Sequence, residues 1–304
     1  MRPLPILAPW AVALVLLAGA APAPPAKPAK PAPVTAESIM REVEARFRAV
    51  PRVVQLDVET HRPYRENVRD MLEGEPVRLW GVFDGGAEST AVVYVFTAPQ
   101  RMQGTGLLIR DPWDAKAADF LGYHMRSFRR FQEIPRSSLK LLVAGTCLTY
   151  EEARGFLSTD KYDFAFADPR RPPGRQVVIL AKPKDAALEK DLGFRSLRVT
   201  VDRDRLLLLR IETTGLNGQP SKTFEVGDPV RVGDLWLAGS ARVHDLQSSV
   251  ESVLRHKYFP LPARPPAALF DTQTDEPPLL DRFLAAVKGL GIEVELEPKG
   301  AGSR

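Results

Sequence analysis

Apolar side chains at Ile39, Met40, Val43 and Phe47 recur at helical spacing, while Arg41, Glu42, Glu44 and Arg46 take the opposite side. Thr35 stands where an N-cap would, and Pro51 stops the run, so the pattern predicts a helix over about 36–48. The period then changes to two: Val54, Leu56 and Val58 alternate with Gln55, Asp57 and Glu59, as in a half-buried strand. Strands dominate from there. Residues 77–83 and 89–97 flank Asp84-Gly85-Gly86, which tolerates the positive φ of a tight hairpin. Strands are expected over 105–110, and over 120–124 paired with 128–134. Thr149-x-x-Glu152 is a capping box that would open a short helix to about 156. Further strands are expected over 177–181, 197–201 and 206–213. Asn217-Gly218 marks a hairpin, and 235–243 with 250–258 forms a last antiparallel pair. Ten or eleven strands without regularly alternating helices predict a mainly β chain (α+β) built on an antiparallel sheet.

The strand over 89–97 is apolar on both sides: Val92, Tyr94 and Phe96 on one, Ala91, Val93 and Val95 on the other. Either the sheet is covered on both faces with a filled core, or one face lines an apolar cavity beneath the helices. After Pro277-Pro278, Leu279, Leu280, Phe283, Leu284 and Val287 return to helical spacing, Gly289 and Gly291 end the run, and 292–296 reads as a strand. This extension, 277–304, would pack against the sheet edge or serve as a partner-binding arm.

At the amino terminus, Arg2 precedes an apolar run over 4–17 and the small-residue pattern Ala18-Gly19-Ala20, the marks of a secretory signal over 1–20 cleaved near Ala20. An uncleaved anchor is the alternative, but the run is shorter than the ~20 residues a spanning helix needs. Residues 21–33 hold six Pro, five Ala and two Lys, so 21–34 reads as an extended linker and 35–276 as the folded domain. Cys147 is the only cysteine, so packing rather than an intramolecular disulfide must stabilise an exported chain; a Gram-negative periplasm suits that.

With 304 residues, 44% of them apolar, the chain can bury a sizeable core. Its formal charge of +4 owes three units to Arg2, Lys27 and Lys30, leaving 39 basic against 38 acidic residues beyond position 34. That balance is no footprint for nucleic acid. His61, His124, His244, His256 and Cys147 stand at no motif spacing, so the sequence predicts no catalytic residue, metal site or cofactor. Asp202-Arg203-Asp204-Arg205 and Pro169-Arg170-Arg171-Pro172-Pro173 read as a solvated turn and a proline-rich loop.

Gly104-Thr105-Gly106-Leu107-Leu108-Ile109, Tyr123, Phe128-Arg129-Arg130-Phe131, Ile134-Pro135 and Gly145-Thr146-Cys147-Leu148-Thr149-Tyr150-Glu151-Glu152 together resemble the central block of the bacterial outer-membrane lipoprotein-sorting proteins, the LolA/LolB-like superfamily. Ala36-Glu37-Ser38-Ile39, Val199-Thr200-Val201-Asp202, Leu208-Leu209-Arg210-Ile211-Glu212, Asn217-Gly218 and Lys222-Thr223-Phe224-Glu225-Val226 extend the resemblance in order over about 36–275. Leu121, Met125 and Cys147 depart from the family's usual Trp, Pro and Asp.

The resemblance implies a curved antiparallel sheet, an incomplete barrel with lid helices, around a cavity for acyl chains of a lipoprotein or lipid, without catalysis. An inner-membrane transporter would be a partner, and the carrier would act as a monomer. Trp80, Tyr94, Phe96, Tyr123, Phe128 and Phe131 are the aromatics expected near the cavity, with Arg129 or Arg130 at its rim. Strand alternation allows only one of Phe128 and Phe131 to face inward. The alternative on the same fold is an envelope partner-binding or sensory protein associated with a transporter or stress regulator.

Overall fold

The first helix forms as α1 (Ala36–Ala49), with Thr35 and Ser38 exchanging reciprocal capping bonds of 3.0 Å. The computed structural model describes residues 34–62, 75–85, 89–112, 119–155, 157–170, 173–273 and 278–296. The expected signal and linker, residues 1–33, lie outside the described residues.

Thirteen strands make one antiparallel sheet: β1 (Arg52–His61), β2 (Val77–Gly85), β3 (Ser89–Ala98), β4 (Gly106–Pro112), β5 (Phe120–His124), β6 (Gln132–Glu133), β7 (Tyr162–Phe166), β8 (Gln176–Pro183), β9 (Phe194–Asp202), β10 (Leu207–Gly215), β11 (Pro220–Val232), β12 (Leu235–Asp245) and β13 (Val250–Pro260). Their spatial order is β6-β5-β4-β3-β2-β1-β13-β12-β11-β10-β9-β8-β7. The curved sheet is unclosed, with β6 and β7 as its edges, although these two strands are consecutive in the chain. The connection between them must therefore travel from one edge to the other. It crosses the inner face, where Thr60 of β1 donates to the Gly145 carbonyl at 2.7 Å. Ser252 of β13 accepts from the Cys147 amide at 2.9 Å, and Lys222 of β11 donates to the Cys147 carbonyl at 2.8 Å.

Both faces of β3 are buried, each against something different. Val92, Tyr94 and Phe96 join the inner core with Ile39, Met40 and Val43 of α1. Ala91, Val93 and Val95 join an outer cluster covered by the 3-10 turn Ala267–Phe270 and by α3 (Leu279–Gly289), whose Leu279, Phe283 and Val287 face the sheet. Both faces of this strand are thus covered. Around β9–β11 the outer face is instead wet, with exposed Arg198, Glu212, Arg210 and Glu225 laddered at 2.8–3.6 Å.

Several expected elements differ. The strand expected over 128–134 shrinks to β6, because Phe128 closes a turn on Met125, Arg130 bridges Gln273, and the Phe131 amide donates to the Thr272 carbonyl at 2.8 Å. The capping box at Thr149 forms both its bonds but starts only a 3-10 turn, Glu152–Arg154, ended by Gly155 at φ +78°. Residues 292–296 form no strand; Ile292 and Val294 rest against the outer cluster instead. The sequence reading missed β7 and α2 (Ala186–Leu192), the latter capped by Asp185 and only two turns long.

Candidate binding cavity

A cavity of about 220 Å³ lies on the inner face of the sheet. Its floor follows from strand register. Tyr258 of β13 stands opposite Val54 of β1, Val54 opposite Gly81 of β2, Gly81 opposite Tyr94 of β3, and Tyr94 opposite Leu107 of β4. All of these but Gly81 line the cavity. Ile211, Phe224, Val226 and Leu237 continue the apolar lining on β10–β12. Val43 and Phe47 of α1 close it on one side, and Val143, Leu148 and Ala153 of the crossing connection on another.

α1 is fastened beside this cavity by buried charge. Arg48 bonds Glu44 on its own helix and reaches Asp111 of β4 at 3.0 Å. Arg154 reaches the same Asp111 oxygen at 3.2 Å, and also binds Glu151 at 2.9 Å and Asp119 at 3.1 Å. Burial pushes the Asp111 carboxyl up, against the pull of Arg154 and Arg48. Glu44 further accepts from the amide and hydroxyl of Thr159, at 3.0 and 2.6 Å, so the helix is tied to the crossing connection.

Polar groups interrupt the apolar wall at few points. Glu151 is held by Arg154 and by Lys161 at 3.0 Å, and Glu152 by Lys222 at 2.8 Å, so both carboxylates are paired with cations. Arg52 is 1% exposed and opens β1 on the same side as Val54 and Leu56. Its Nη1 donates to the Phe47 and Val50 carbonyls at the end of α1, at 2.9 and 2.8 Å. Its guanidinium carbon lies 4.3 Å from the centre of the Phe47 ring and 4.0 Å from that of Phe83. Burial lowers the Arg52 pKa to about 10, which leaves it cationic at neutral pH. His256 stacks on Tyr258 with ring centres 5.7 Å apart, and burial pushes its pKa down to about 4, so the ring is neutral. Burial raises the phenols of Tyr94 and Tyr258, keeping both protonated.

The aromatics expected from sequence disperse over both faces. Tyr94 lines the cavity. Phe96 belongs to the inner core, and half-buried Tyr123 packs against that core with its ring edge-on to Phe128 at 5.8 Å. Trp80 stacks on Phe259 within the outer cluster, and Phe131 packs there too, 5.5 Å from the His124 ring. Arg129 and Arg130 are exposed and do not line the cavity. The sequence reading missed Arg52, His256 and Tyr258. Their signal was parity: Arg52 falls in phase with Val54, Leu56 and Val58, and His256 and Tyr258 with Leu254, the inward positions of their strands.

Cys147 is buried, and burial raises its thiol pKa. Among the described residues no group of three or more His, Cys, Asp or Glu side chains is placed to hold a metal ion.

An unclosed, curved antiparallel sheet with helices on its faces is the fold of LolA-like proteins. Residues 88–274 match a family model described as an uncharacterized protein, and the chain belongs to that family. A DUF1329 family protein from Desulfovibrio piger is similar over 78% of this chain and 95% of its own, at 14% identity and a TM-score of 0.64. A domain assigned to outer-membrane lipoprotein sorting from Vibrio parahaemolyticus covers 78% and 96%, at 17% identity and a TM-score of 0.62. The LolA superfamily protein NE2245 from Nitrosomonas europaea covers 79% and 98%, at 16% identity and a TM-score of 0.57. At these identities the likeness is one of fold. No curated protein matches the chain.

Proposed function

We propose that this protein is a periplasmic binding and carrier protein that holds acyl chains of a lipoprotein or lipid in its inner cavity without converting them. In this reading residues 1–20 are a cleaved export signal and 21–34 a tether to the folded body. The observation that carries the reading is the cavity itself: about 220 Å³ of space on the inner face of a half-barrel, bounded mostly by aliphatic and aromatic side chains. An acyl chain crossing water costs ~0.8 kcal/mol for each exposed CH₂, so a carrier needs such a dry concave surface. Tyr94 and Tyr258 supply broad apolar ring faces at small entropic cost. No helix of the described residues is long and apolar enough to cross a membrane.

The test is displacement of the fluorescent apolar probe 1-N-phenylnaphthylamine by palmitate. Probe binding that palmitate reverses supports the reading, as does at least tenfold weaker binding in Ile211→Trp, which fills the cavity, with Lys190→Ala on exposed α2 unchanged. Absence of probe binding by the folded wild type, or equal binding by Ile211→Trp, overturns it.

A further inference from the structure

Arg52 lies in the wall of an apolar cavity without a carboxylate partner among the described residues. Nη1 is satisfied by two carbonyls, but Nε and Nη2 are buried with no hydrogen-bond partner among the described residues. No described carboxylate pairs with it, whereas the other charged groups of the lining, Glu151, Glu152 and Lys222, are paired within 3.0 Å. Tyr94 and Tyr258 lie close enough to feel the Arg52 charge, yet burial holds both phenols neutral, and Tyr258 already donates to the Ala238 carbonyl at 3.0 Å. His256 is neutral as well, and burial keeps the Tyr162 phenol protonated. A buried cation with two donor nitrogens left idle is costly, and proteins ordinarily pair or hydrogen-bond such groups.

We propose that the cavity's ligand brings the missing anion: an acyl amphiphile with one carboxylate or phosphate head, which Nε and Nη2 of Arg52 receive as a two-pronged donor. This deepens the carrier reading and rests on it. The planar guanidinium offers Nε–H and Nη2–H side by side, the fork that matches two oxygens of either head. The Nη1 bonds to the end of α1 and the Phe47 and Phe83 rings fix the orientation of the fork in advance. Capping α1 alone would occupy only Nη1 and leaves the other two donors unexplained. Two kinds of chain-bearing anion share this chemistry, a free fatty acid and a phosphate-headed lipid.

The full chain, purified and stripped of lipid, is titrated with palmitate, 1-palmitoyl lysophosphatidate and the neutral 1-hexadecanol, for wild type, Arg52→Gln and Arg52→Lys. The expected result is that wild type prefers at least one anion over the alcohol by tenfold or more. Arg52→Gln should lose that preference while keeping its affinity for the alcohol, and Arg52→Lys should recover part of it. Whichever anion is preferred identifies the head. Equal binding of alcohol and anions by wild type overturns the Arg52 assignment and leaves the carrier reading intact. Failure of all three ligands to bind overturns both. If Arg52→Gln does not fold, the Nε–H resonance of Arg52 in wild type decides: it should shift with an anion and stay still with hexadecanol, and no shift with any ligand overturns the proposal.

Discussion

The ring of Tyr94 lies against the backbone of Gly81, so close that a Cβ placed on Gly81 would stand 2.6 Å from Tyr94 Cε1. The missing side chain on β2 is what lets the tyrosine lie down across the cavity floor. Gly81→Ala should therefore cost about 1–3 kcal/mol, the usual range for overpacking. In a Tyr94→Ala background the same change should cost at least ~1 kcal/mol less, leaving only the contact with Val54 Cγ1 at 3.0 Å. Urea unfolding of the four proteins measures this coupling; additive effects would contradict the close approach.

Asp111 holds α1 and the crossing connection together through Arg48 and Arg154. Asp111→Asn keeps the shape but removes the negative charge shared by two buried guanidinium groups. Arg48 keeps Glu44, and Arg154 keeps Glu151 and Asp119, so the expected loss of unfolding free energy is that of weakened charge-assisted hydrogen bonds, about 1.5–3 kcal/mol. A cost below ~1 kcal/mol would show that the cluster is not what fastens the helix.

Acid should weaken the fold through His256. Its pKa falls from 6.5 to about 4 on folding, so between these values the unfolded chain binds a proton that the folded chain refuses. Stability then declines as pH drops from about 6.5 to about 4 and is unaffected by this group above that window. His256→Gln should flatten the decline, read as urea midpoints at pH 7 and pH 4.5. Parallel losses in wild type and variant would contradict the assignment and point to His124, whose pKa burial also lowers, or to the paired carboxylates of Glu151 and Asp119, whose pKa values are held down in the folded protein.

Phe283 is fully buried beneath α3 against the outer face of β2 and β3. Phe283→Ala should cost about 3–5 kcal/mol, comparable to a core truncation. A nearly neutral result, by thermal or urea unfolding, would mean that α3 is not part of the cooperative unit.

Sequence patterning reached the sheet more readily than the cavity. Alternation at Val54, Leu56 and Val58 and the two-sided apolar character of 91–96 mark strands whose faces are both occupied, and both faces of β3 are indeed covered. Sequence alone does not say by what. The cover of the outer face comes from α3, some 190 residues downstream of β3, and the inner one from α1 and the connection between β6 and β7. Aromatic character selected Trp80 and Phe131 for the cavity, but side assignment depends on register: Trp80 alternates with inward Leu79 and Gly81, so it points outward. Arg52 was invisible to a search for apolar residues because it is charged, although its parity placed it on the inner face. α2 and β7 escaped because seven- and five-residue elements carry too few periods to register.

Organic extraction and mass spectrometry of the protein purified from a periplasmic fraction, beside an unrelated periplasmic protein handled in parallel, tests the central claim most directly. The carrier account expects chain-bearing lipid or lipoprotein recovered near one equivalent, and depleted when Ile211→Trp fills the cavity. A folded protein that carries no such molecule, and binds no apolar probe after extraction, would contradict it.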